Sequence, residues 1–122
     1  MRQPTFFERE QTGGGVPAEQ VVLYALGDFQ SRGHVLAGRD LPLDRLRGAL
    51  RRAAEEFDVE QLEDEPAANA LSALGAQVRR VPSFFAKHPF RVNVPAALAE
   101  RAQDFYRQHR ASRTTSDDEM AG

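Results

Sequence analysis

The residues of this chain best suited to ligate a metal or exchange protons near neutral pH are three histidines, His34, His88 and His109. They stand far apart, and none belongs to an HxxxH or HxxE arrangement. There is no cysteine, which rules out thiolate metal sites, disulfides and thiol nucleophiles. No metal and no other cofactor is expected. Ser31, Ser72 and Ser83 have no histidine and acid at a recognisable spacing, and Ser83-Phe84-Phe85 is not a nucleophile elbow. Glu63, Asp64 and Glu65 crowd together before Pro66, where acidic residues serve the start of a helix. The segment TGGGVP (12–17) sets glycines before a helix start, but no strand leads into it and no Lys-Ser or Lys-Thr follows. A linker explains those glycines better. The chain reads as a non-enzymatic protein.

What remains is binding. The segment Pro82–Pro89 is longer than an ordinary hairpin loop and carries Phe84, Phe85, Lys87 and His88. Flanked by Arg79, Arg80 and Arg91, these residues could contact a protein partner or, as a basic wing, nucleic acid. The competing reading buries Phe84, Phe85 and Phe90 in a core that has no tryptophan to fill it. A second basic set, Arg45, Arg47, Arg51 and Arg52, lies on one predicted helix, with Glu55 and Glu56 placed to neutralise it.

The elements that must position these residues follow from apolar spacing. Pro17 opens a helix whose face is Val21, Val22, Ala25, Leu26 and Phe29. Gly27 is costly inside it unless another element packs closely there, and Gly33 stops it. HVLAG (34–38) is expected as a short strand. A second helix follows Asp40, with Leu43, Leu46, Leu50, Ala53 and Phe57 on one stripe. Its Arg51–Glu55 and Arg52–Glu56 spacings suit surface ion pairs. The acidic cluster starts a third, short helix with Ala67, Ala70, Leu71 and Leu74 inward and Gly75 as its cap. Ala76–Val81 and the alternating Phe90, Val92 and Val94 form two strands. Pro95 opens a last helix carrying Leu98, Ala102, Phe105 and His109, with Tyr106 beside them. That face can cover its own domain or pair with a second copy, making a homodimer through Leu98, Ala102, Phe105 and Tyr106 an expectation.

The order resembles a winged-helix domain with a C-terminal helix added. ALSALGAQVRRV (70–81), a helix ending in Leu-Gly and entering a strand, and FRVNVP (90–95), the returning strand, carry the resemblance. It spans roughly residues 17–95. In a DNA-reading winged helix the third helix meets the groove; here it contains no Arg or Lys. Winged helices with such a surface are often protein-interaction modules, and the resemblance implies that use.

Composition agrees with one α+β, mostly helical domain at 16–109, a flexible N-terminal arm at 1–15 containing Phe6-Phe7, and a disordered polar tail at 110–122. The formal charge is −2, and setting aside Asp117, Asp118 and Glu119 takes it to +1, so no global field favours nucleic acid. No apolar run is long enough to span a bilayer, and a cytoplasmic location is expected. The leading expectation is a protein-interaction or regulatory adaptor. The alternative is a DNA- or RNA-binding regulator using Arg45, Arg47, Arg51, Arg52, Arg79, Arg80 and Arg91. A small-ligand sensor would require an enclosed polar cavity.

Overall fold

A computed structural model describes residues 16–81 and 90–121. The chain is α+β, with α1 (Ala18–Ser31), β1 (Asp40–Pro42), a 3-10 turn (Leu43–Leu46), α2 (Arg47–Phe57), α3 (Asp64–Leu74), β2 (Gln77–Arg80), β3 (Phe90–Asn93) and α4 (Ala96–Ala121). The sheet is antiparallel with order β1-β3-β2. This is the winged-helix-like order read from the sequence, with α4 added.

The core is built around α1. Every residue from Val21 to Phe29 is buried, so the helix is central rather than one-sided as its apolar spacing predicts. It packs against α2, α3 and α4. The contact with α4 explains Gly27. A Cβ built there would collide with Tyr106 Cβ and lie 2.5 Å from the Ala102 carbonyl oxygen. Glycine lets the two backbones approach at the level of Ala102, itself fully buried. Gln30 reinforces the junction by donating from Nε2 to the Ala99 carbonyl at 3.0 Å.

The sheet is small and one-sided. Leu41, Val92 and Val78 share a rung, with Phe90, Val92 and Val94 buried beneath. The first strand lies at Asp40–Pro42, not at HVLAG. In the 34–38 segment only Leu36 is buried, and Ala37 makes a single parallel bridge to Val94. Strand position is decided by pairing with β3, and Pro42 is tolerated because β1 is an edge strand.

Two helices end in the same way. In α3 the amide of Gly75 donates to Ser72 O at 3.0 Å and that of Ala76 to Leu71 O at 2.9 Å, with Gly75 at φ 112°. In α2 the amides of Asp58 and Val59 donate to Glu55 O and Ala54 O at 3.3 and 3.0 Å. Both are Schellman ends, but α2 places an aspartate in the left-handed position, at φ 56°. Asp58→Gly is expected to raise stability by up to about 1 kcal/mol, measured as a higher denaturation midpoint, because only glycine takes this φ without strain.

The backbone of the last helix continues past His109, the last residue of its apolar face, to Ala121. Extension of a formed helix adds one hydrogen bond per residue without a new nucleus, so loss of the apolar period does not by itself end it. Its inner face is spent on the chain's own core. Leu98 and Ala102 are fully buried, and Phe105 and Tyr106 pack beside them. The four residues expected at a homodimer contact therefore face α1 and its neighbours. Among the described residues no helix is long and apolar enough to cross a membrane.

Candidate interaction surface

The strands β2 and β3 bracket the loop 82–89, so Phe84, Phe85, Lys87 and His88 lie outside the described residues. The arginines beside them are described, and their charges are engaged. Arg79 and Arg91 sit directly opposite on the outer sheet face, an arrangement that repels unless compensated. Asp40 compensates it: its Oδ2 accepts from Arg79 Nη2 at 3.1 Å and from Arg91 Nη2 at 2.9 Å. The hydrogen bond from Arg91 is the main reason the Asp40 carboxyl sits below its ordinary range. Partial desolvation opposes this, and the Arg79 charge adds to it. A depressed folded-state pKa contributes stability that is complete above the unfolded value of about 4 and is lost as pH falls through the folded value. Asp40→Asn is expected to make unfolding less sensitive to acidification in that window, seen in thermal melts from neutral to acid pH.

Arg80 lies 4.5 Å over the Phe90 ring and donates to Glu65 on α3 at 2.9 Å. On α2, Arg47 bridges Asp44 at 3.2 Å and Asp64 at 2.6 Å. Arg52 donates to buried Asp28 on α1, with Nε 2.7 Å from Oδ2, rather than to Glu56 as its spacing predicts. Glu56 instead meets His109 at 3.0 Å. Of the seven arginines that could have formed a basic surface, only Arg45 and Arg51 have no carboxylate partner among the described residues.

The exposed face of α3 is polar and small: Glu65, Pro66, Asn69, Ser72 and Ala73. Asp64 and Glu65 hold α2 and β2 through Arg47 and Arg80, so the acidic cluster is partly structural. Between α3 and the start of α1 lies a cleft of about 640 Å³, lined by Ala18, Glu19, Leu62, Glu65, Pro66, Asn69, Ala70 and Ala73. No basic side chain lines it among the described residues.

A second polar group lies where α1, α2 and α4 meet. Asp28, nearly inaccessible, takes Arg52 and also Arg32 at 3.2 Å. The Tyr24 hydroxyl accepts from Arg110 at 3.4 Å, and burial raises its pKa. Tyr24, Phe57 and Phe105 surround the His109 ring, with centroids 5.3, 5.0 and 6.3 Å away. His34, by contrast, stacks on Phe29 at 4.6 Å. His109 and His34 thus occupy separate aromatic settings. Among the described residues no group of three metal-ligating side chains converges. Periodicity missed the Asp28 junction because its partners come from other helices. The signal was a lone carboxylate inside the apolar run VVLYALGDF.

The fold and this surface define an α+β domain of four helices and a three-stranded antiparallel sheet, whose third helix is acidic and whose arginines are largely tied to its own carboxylates. Compared with known proteins, the chain matches no family model, no curated sequence and no solved structure.

Proposed function

We propose that the chain is a non-enzymatic protein-interaction or regulatory adaptor. Its contact surface is the exposed face of α3 together with the loop that β2 and β3 bracket. The observation that carries this reading is the intramolecular pairing of Arg47, Arg52, Arg79, Arg80 and Arg91. A phosphate backbone would have to compete with those carboxylates for the guanidinium groups, while facing Glu65 on α3. A protein partner meets no such penalty at the small, polar α3 surface.

Asn69→Arg with Ala73→Arg changes two exposed positions and is expected to abolish partner retention with little change in stability. Phe84→Ala with Phe85→Ala tests the loop: retention should fall. If those two changes only lower stability and every native partner stays bound, the loop belongs to the core and not to the contact surface.

A nucleic-acid regulator is the second reading, favoured by Arg45 and Arg51, which are exposed and unpaired among the described residues. It requires an affinity that drops steeply with salt and falls when Arg79, Arg80 and Lys87 are neutralised.

A further inference from the structure

The geometry points to the cleft between α1 and α3 as a docking groove for a cationic amphipathic segment of a partner protein. This rests on the protein-interaction reading and adds the partner's chemistry. The floor is apolar and made of small residues. Ala70 is buried, Ala18 is half-buried, and Ala73 and Pro66 are exposed at its mouth, with Leu62 along one side. Short side chains leave room for larger ones, and about 640 Å³ accommodates several apolar groups projected from one face of a helix.

The rim is acidic. Glu19 on α1 is exposed and has no partner among the described residues; Glu65 on α3 pairs, among the described residues, with Arg80. That bridge is open to water, with side chains 57% and 71% exposed, so an incoming lysine or arginine can exchange for Arg80 at little cost. Asn69 lines the same cleft, exposed and without a side-chain hydrogen bond among the described residues. Its amide is placed to fix a partner's backbone or a polar side chain. An acidic segment would meet like charge on both sides, and a polyanion more so. The occupant that satisfies floor and rim together presents apolar residues on one helical face and Lys or Arg beside them.

The test is titration of the isotope-labelled full chain with a synthetic amphipathic Leu/Lys peptide, followed by amide NMR shifts. A Leu/Glu peptide of identical pattern is the control. The expected result is saturable shifts centred on Ala18, Asn69, Ala70 and Ala73 with the lysine peptide and none with the glutamate peptide. Glu19→Lys with Glu65→Lys should weaken binding about tenfold or more, and Ala73→Arg should block it sterically while leaving the spectrum folded. Shifts centred elsewhere, equal response to both peptides, or insensitivity to these substitutions would overturn the groove. So would a Phe6→Ala with Phe7→Ala variant whose free spectrum moves at the same amides, because the occupant would then be the chain's own arm. Native partners that survive nuclease but ignore the groove substitutions would keep the adaptor reading and remove only the groove.

Discussion

Replacing Gly27 with alanine is expected to destabilise the domain by about 3 kcal/mol, the upper range for overpacking a tight interior. In most helix interiors the same change is favourable by about 1 kcal/mol, because alanine is the better helix former. The sign reverses here because the added methyl has nowhere to go. It would meet the Tyr106 Cβ and the Ala102 carbonyl, and neither is the free end of a flexible side chain. The clash is relieved only if α4 moves away from α1, which uncovers Leu98 and Ala102. A chemical denaturation midpoint well below wild type, with an unchanged slope, is the predicted signature. A neutral or stabilising result would mean that α1 and α4 are not packed as described.

The second large effect is expected at Arg52. The Asp28 side chain is 4% exposed and shares its Oδ2 between Arg52 and Arg32. Arg32 is the more exposed partner and the looser one, with its Nε 3.2 Å away against 2.6 Å for Arg52 Nη2. Arg52→Ala therefore leaves a buried carboxylate with its weaker partner, and about 3 kcal/mol is expected to be lost. Removing the charge first should blunt the effect. In an Asp28→Asn background, Arg52→Ala should cost about 1 kcal/mol, since a neutral amide does not need a cation. Equal costs in both backgrounds would show that Arg52 acts through packing of its stem and not through the pair.

These two positions also show what was legible in the sequence. Gly27 was readable as an anomaly, because a glycine inside an apolar helix implies close approach, though not by which element. Gly75 was readable outright: its place after Leu74 matches the positive φ observed. The alternation of Phe90, Val92 and Val94 gave the central strand, since a buried face imposes period two. Features that depend on distant partners were hidden. Arg52 lies four residues before Glu56, and local spacing favours that pair, but folding brings Asp28 closer. The first strand was misplaced for a similar reason, as only register with β3 decides that Asp40–Pro42 pairs and 34–38 does not.

The site divides along the same line. The acidic character of α3 and the absence of Lys and Arg from it were plain in the sequence. That Arg47, Arg79, Arg80 and Arg91 are bound by Asp64, Asp40 and Glu65 was not, because those carboxylates come from other elements. The cleft beside Ala18 and Ala73 was equally hidden. Its walls belong to helices that are distant in the chain, and alanine carries no binding signature of its own.

The most direct measurement is affinity purification of the full chain from the cells that encode it, with and without nuclease. It should be run in parallel with the Asn69→Arg/Ala73→Arg variant. The same proteins are predicted to be retained after nuclease treatment and lost from the variant. Loss of every partner on nuclease treatment, with the variant behaving as wild type and duplex binding that collapses with salt, would contradict the adaptor reading.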